Sequence, residues 1–280
     1  MTPEVVELTG GAGRIVADRW QGTGDRGTLL LLHGGGQTRH SWSRSGERFA
    51  AAGWTTYALD TRGHGDSDWD ADGSYTMDSL VDDLLGIVEQ IGDTPVLIGA
   101  SMGGITSLVA EGEHAPVSRA LVLVDIATRM ESAGVDRILA FMQSAPDGFA
   151  SLEDVADAIA AYNPHRPRPV HLDGLRKNVR QGADGRWRWH WDPAFLGGGD
   201  EPRREAREER LDAAARGITV PTLLVRGQAS DVVSVDGASE LQRLIPHAIV
   251  QEAAAGHMVA GDDNDVFVTR VVAFLDTQLR

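Results

Sequence analysis

Leu29-Leu30-Leu31-Leu32 is a strand-like run with no polar face. Such a run is satisfied only when both faces of the strand are covered, which is the situation inside a mostly parallel sheet flanked by helices. Short apolar runs bounded by Gly, Asp or Pro recur along the chain. They predict strands near residues 5–8, 14–20, 28–32, 55–59, 95–98, 120–124, 222–225 and 248–251. Helical patterns separate most of them, at residues 43–52, 77–91, 102–114, 235–245 and 265–279. No helix separates the first two strands, so an antiparallel hairpin is expected at one edge. Between residues 128 and 217 the rhythm breaks into helical candidates only, at 134–144, 151–161 and 201–215. The expected division is a core of residues 1–127 and 216–280, with a helical cap of residues 128–215 inserted after the sixth strand.

The formal net charge of −15 over 280 residues argues against a nucleic-acid partner and against an anionic membrane surface, because both need clustered Lys and Arg. There is no cysteine, which excludes disulfides, thiolate zinc sites and cysteine nucleophiles. The first residues show neither a basic segment nor a long apolar core, and no apolar run approaches the roughly 20 residues of a membrane span. A soluble, cytoplasmic protein is expected. Residues 201–210 mix both charge signs and read as a solvated helix face.

The stretch Gly99-Ala100-Ser101-Met102-Gly103 follows the apolar run 95–98 and precedes the helical run from Ile105 to Glu111. A strand therefore turns sharply into a helix with a serine at the bend. Such a turn lifts the hydroxyl clear of the sheet and leaves no room for a β-carbon on either flank. The bland alternative is that Ser101 is an ordinary helix cap. In parallel sheets ligands bind where strands end. Two further reactive side chains follow strands: Asp231, after 222–225, and His257, after 248–251.

This order, together with His33-Gly34-Gly35-Gly36 after the third strand and Asp60-Thr61-Arg62-Gly63-His64-Gly65-Asp66-Ser67 after the fourth, resembles the α/β-hydrolase family. The resemblance covers essentially the whole chain. It lies nearest the serine esterase and lactonase branch, with general similarity to epoxide-hydrolase-like and cofactor-free haloperoxidase-like members. It implies an α/β fold with a mostly parallel eight-stranded sheet, helices on both faces and a helical cap. The serine at position 101 disfavours epoxide and halide chemistry, which relatives perform with an aspartate nucleophile.

The implied roles are Ser101 as nucleophile, His257 as base and Asp231 as the acid that orients it. Asp125, at the end of the run 121–124, is the rival acid; family geometry favours Asp231. The implied oxyanion donors are the backbone N–H groups of Met102 and Gly35, with Gly34 or Gly36 as alternatives to Gly35. No metal or cofactor is implied. His33 and His64, in glycine-rich turns, are expected to make structural hydrogen bonds.

Candidate pocket residues are Trp42, Phe141, Met258 and the alternating Trp187, Trp189 and Trp191, with Met142 and Phe149 equally ambiguous. Aromatic residues in such a segment pack more often than they bind, and anchoring the cap is the favoured reading of the three indoles. The expected activity is hydrolysis of a small apolar ester or lactone through an acyl-serine. The alternatives are C–C bond hydrolysis or perhydrolysis on the same residues, or a ligand receptor with negligible turnover.

Overall fold

The computed structural model describes residues 1–164, 167–197, 204–257 and 264–279. Strands β1 (Glu4–Gly10), β2 (Gly13–Trp20), β3 (Thr28–Leu32), β4 (Thr55–Leu59), β5 (Val96–Ala100), β6 (Ala120–Val124), β9 (Thr222–Gly227) and β10 (Ile249–Ala253) form one eight-stranded sheet. Its order is β1-β2-β4-β3-β5-β6-β9-β10. β1 and β2 pair antiparallel, as β2 does with β4; every later pairing is parallel. The expected edge hairpin is present.

The pleat divides the apolar runs between two cores. Leu30 and Leu32 face a layer built with α2 (Met77–Ile91), α3 (Met102–His114) and α7 (Val235–Leu244). Leu29 and Leu31 face a layer built with α1 (Ser43–Ala51) and the last helix, α8 (Asn264–Gln278). All four leucines are buried, which explains why the strand tolerates no polar residue. Each such side chain contributes roughly 1.5–3 kcal/mol relative to exposure. Helix ends follow local chemistry: Thr76 caps the start of α2, and Gly92, at φ 70°, closes its end.

The segment between β6 and β9 holds α4 (Ser132–Met142), α5 (Leu152–Tyr162), a short hairpin of β7 (Val179–Gln181) and β8 (Trp187–Trp189), and α6 (Arg204–Gly217). Two expectations need correction. The segment is not purely helical, because residues 179–181 and 187–189 pair as strands and Phe149 bridges to Trp187. Its last helix also belongs with the core. Leu211, Ala214 and Ala215 of α6 join the layer on α3, where Gly112 sits directly against the backbone of Ala214. The rest of the insert buries its own apolar cluster around Val155, Val179, Trp187, Trp189 and Trp191. No helix among the described residues is long and apolar enough to cross a membrane.

Candidate active site

Ser101 sits between β5 and α3 at φ 48° and ψ −117°. A side-chain-bearing residue in this left-handed region stores about 1–3 kcal/mol of strain, which persists only when neighbours hold it. They do. Ser101 N–H donates to Val124 O at 3.1 Å, Gly103 N–H to His33 O at 3.1 Å, and Ile105 N–H to Ser101 O at 2.9 Å. The flanking glycines are steric necessities. A β-carbon on Gly99 would lie 2.3 Å from Gly103 O, and one on Gly103 would lie 2.6 Å from both the Cβ and the carbonyl oxygen of Leu32. Ser101 is half-buried, at the carboxyl edge of the sheet.

The loop after β3 lies against this bend, since a β-carbon on Gly34 would be 3.2 Å from Ser101 Cβ. Residues 34–37 form a tight turn with Gln37 N–H on Gly34 O (3.1 Å) and Gly36 at φ 72°. Several N–H groups near Ser101 are already committed. That of Gly34 donates to Gln37 Oε1 (3.2 Å) and that of Gly36 to His64 Nε2 (3.1 Å). No described residue accepts from the N–H of Gly35 or of Met102, the pair proposed below as oxyanion donors.

Three buried histidines brace this loop. His33 Nδ1 donates to Gly34 O (2.8 Å) and its Nε2 accepts from Thr61 N–H (3.1 Å). His64 Nδ1 donates to Arg62 O (3.1 Å) while its Nε2 holds Gly36. His190, which follows β8 in the insert, accepts from Gly65 N–H at Nδ1 (2.8 Å) and donates from Nε2 to Gly36 O (3.3 Å). Burial penalises their charged forms. It pushes His33 down to about 4 and His64 down to about 3, and it holds His190 well below the usual imidazole range. All three are therefore neutral near pH 7, as donor–acceptor pairs on one ring require.

The carboxylate bonded to His257 is that of Asp125 and not, as expected, that of Asp231. His257 Nδ1 lies 2.6 Å from Asp125 Oδ2. Asp125 follows β6 directly, one strand from Ser101, and Ala100 and Val124 are register partners. Its φ of 50° turns the carboxylate inward, where it is fully buried. There it also accepts from Gly227 N–H (2.8 Å) and from Ser230 Oγ (2.5 Å). These charge-assisted bonds compensate the buried carboxylate.

Ser230 is itself steered by the N–H groups of Val232 and Val233, at 3.2 and 3.0 Å. So the residue of the β9 loop that turns inward is Ser230, and its neighbour Asp231 turns out to pair with Arg137 of α4 at 2.7 Å. His257 reaches across β9 because the following loop folds tightly over that strand's end. Gln228 N–H donates to Ala253 O (2.9 Å), Ala229 N–H to Ala255 O (3.0 Å), and a β-carbon on Gly227 would strike Gly256 O at 2.3 Å.

Residues 27–263 match the family model described as the alpha/beta hydrolase fold. The chain belongs to the α/β-hydrolase fold family. Among its relatives is an esterase, Rv0045c of Mycobacterium tuberculosis, 28% identical over 99% of this chain and 90% of that protein. A solved structure of that esterase superposes with a TM-score of 0.75 at 28% identity, covering 99% of this chain and 93% of that one. A 2-(acetamidomethylene)succinate hydrolase of Mesorhizobium japonicum is 28% identical over 80% of this chain and 79% of that protein.

For this α/β-hydrolase the expected pocket residues separate. Trp42 is corrected outright. It is buried in the layer beneath α1 and α8, with its ring 5.9 Å from Phe267, because its position in the turn leading into α1 aims it at that core. Trp187, Trp189 and Trp191 lie inside the insert's cluster. Trp189 stacks on Trp191 at 5.0 Å and meets Phe149 edge-on at 5.1 Å. Phe141 stacks on Tyr162 at 4.2 Å and leans on Trp189. Met258 lies outside the described residues.

The side chains that do roof the Gly34–Gln37 turn are Met142 and Phe195. A β-carbon on Gly35 would lie 3.8 Å from Met142 Sδ and 3.9 Å from Phe195 Cε1. Sequence patterns offered no signal for Phe195, in the one-turn 3-10 helix Pro193–Leu196, or for Ser230, in the loop after β9. A separate groove of about 610 Å³ runs outside the loop at 65–68, toward Arg14 and Arg180, and includes neither Ser101 nor His257. Its charges are paired with one another, Arg14 with Glu7 and Arg180 with Asp66.

Proposed function

We propose that this α/β-hydrolase is a serine hydrolase that cleaves small, largely apolar carboxylic esters or lactones through an acyl-serine intermediate. The observation that carries the proposal is the 2.6 Å bond between His257 Nδ1 and the buried carboxylate of Asp125, at the sheet edge that also holds the strained Ser101. With Nδ1–H on Asp125, Nε2 is the unprotonated ring atom and serves as the base.

His257 Nε2 takes the proton of Ser101 Oγ as the oxygen attacks the ester carbonyl carbon. The carbonyl oxygen becomes an oxyanion, for which Gly35 and Met102 supply the two N–H donors. Collapse of the tetrahedral intermediate breaks the bond to the alcohol oxygen, which leaves with the proton from His257. Water then repeats the sequence. His257 removes its proton, the resulting oxygen attacks the acyl carbon, and the acid departs as Ser101 regains its proton. Asp125 stays ionised throughout and stabilises the imidazolium. The apolar roof of Met142 and Phe195 supports a small apolar acyl group, and the esterase name of the M. tuberculosis relative supports the ester class. On the same reading the insert from α4 through the β7–β8 hairpin is the cap.

Labelling with a fluorophosphonate followed by mapping of the adduct tests the proposal. One adduct on Ser101, with nitrophenyl-ester cleavage abolished in Ser101→Ala, is the expected result. A Ser101→Ala protein that cleaves short esters at the wild-type rate would refute it.

A further inference from the structure

We infer that His190 is a positioning residue for the oxyanion hole: a cap side chain that completes the lock on the Gly34–Gln37 turn, so that docking of the cap hairpin tightens the orientation of the Gly35 donor. The inference rests on the serine-hydrolase function proposed above and adds the device that orients one of its donors.

The peptide carrying the Gly35 N–H also carries Gly34 O. That oxygen is held by two core groups, His33 Nδ1 at 2.8 Å and Gln37 N–H at 3.1 Å. Downstream, Gly36 N–H is held by His64 Nε2 at 3.1 Å, again from the core. Gly36 O is bonded by His190 Nε2, and His190 alone of these groups belongs to the insert. Gly36 has no side chain and sits at φ 72°, so its two flanking peptides rotate cheaply unless they are tied. An oxyanion donor is effective only when it is preorganised, because the gain comes from dipoles that need not reorient during reaction.

The hairpin that delivers His190 is itself pinned to the loop after β4. Arg180 donates to Gly65 O (2.8 Å) and to Asp66 (2.6 Å), His190 accepts from Gly65 N–H, and Asp192 N–H donates to Gly63 O (2.9 Å). His190 is 1% exposed, and its ring lies 5.8 Å from that of His64, so its two bonds are made in a dry, packed setting. One nitrogen therefore anchors the hairpin, and the other reaches the turn beside Ser101.

Two substitutions separate these jobs. The amide of Asn overlays Nδ1, so His190→Asn keeps an acceptor for Gly65 and loses the donor to Gly36. The amide of Gln overlays Nε2, so His190→Gln keeps that donor and loses the acceptor. The test measures kcat and KM for a nitrophenyl ester, fluorophosphonate labelling rate at Ser101, and melting temperature for wild type and both variants. His190→Asn is expected to lose kcat by about 10- to 100-fold, less than the loss of a whole oxyanion donor, with KM little changed. His190→Gln is expected to restore most of that loss whatever its melting temperature.

Wild-type kcat in a folded His190→Asn, or loss of kcat in both variants in step with their melting temperatures, would overturn the inference. Wild-type labelling distinguishes this from a failure of the underlying function. If Ser101 of the unaltered protein is neither labelled nor needed for ester cleavage, the serine-hydrolase function falls and the inference falls with it. If Ser101 is labelled and required, a negative result removes the role of His190 alone.

Discussion

Asp125 Oδ2 and His257 Nδ1 stand 2.6 Å apart across the end of β9, although 132 residues separate them in the chain. Asp231, on the loop of the intervening strand, instead turns to Arg137 in the insert. Asp125→Asn should lower kcat by about 10⁴-fold, the scale seen when a triad loses its acid. Asp231→Asn should leave kcat within about threefold, because a half-exposed ion pair contributes about 0–1 kcal/mol. Steady-state rates on one nitrophenyl ester decide the matter, and the reverse ranking would restore Asp231 as the acid.

Gly103 packs its α-carbon against the backbone of Leu32, with 2.6 Å between a would-be β-carbon and the Leu32 carbonyl oxygen. Gly103→Ala should therefore destabilise the protein by about 1–3 kcal/mol and impair ester cleavage as the bend shifts. Gly86, inside α2, has open space where a β-carbon would go. Gly86→Ala should be neutral or stabilising by up to about 1 kcal/mol. Urea midpoints for the two variants measure the contrast, and equal effects would contradict this account of the bend at Ser101.

Met142 is 4% exposed and closes the space over Gly35 and Gly36. Met142→Ala should cost about 2–5 kcal/mol of stability where the site cannot collapse. It should also move the preferred acyl chain toward greater length. Relative kcat/KM across a nitrophenyl series from acetate to octanoate reads this directly. An unchanged profile would mean that Met142 does not bound the acyl site.

His33 and His64 are held neutral by burial, with folded values pushed down to about 4 and about 3 from an ordinary value near 6.5. The unfolded chain then binds more protons than the folded one below about pH 6.5. Stability is fully present above that pH and is lost as the pH falls toward about 4 for His33 and about 3 for His64, by up to about 1.4 kcal/mol per pH unit for each ring. Urea midpoints at about pH 7.5, 6 and 5 should fall steeply only over the acidic interval. A midpoint that holds steady or rises on acidification to about pH 5 would show that these rings are not buried neutral.

The layer structure was legible because its signals are local. Leu29 to Leu32 admit only a doubly covered strand, and the glycines around Ser101 admit only a bend too tight for a β-carbon. Sequence and structure accordingly agree on the sheet, the edge hairpin and the placing of Ser101 at a strand-to-helix turn. The insert was less legible. Short strands such as Trp187–Trp189 form only because Phe149 and residues 179–181 come alongside, and the mixed-charge face of α6 hides the small residues that seat it on α3.

The amino-acid sequence by itself determined which strands are buried on both faces and where a serine stands clear of the sheet, because close packing and backbone sterics act between near neighbours. Only the tertiary structure decided which carboxylate meets His257. Asp125 and Asp231 both follow strands, and the choice between them depends on strand register, on a left-handed φ at Asp125 and on Ser230 turning inward. It likewise decided that His190, in the insert, would grip the turn beside Ser101, through partners 125 and 154 residues away. Contacts of that range leave no periodic trace in the chain, because they are set by how loops from different strands fold over one shared edge.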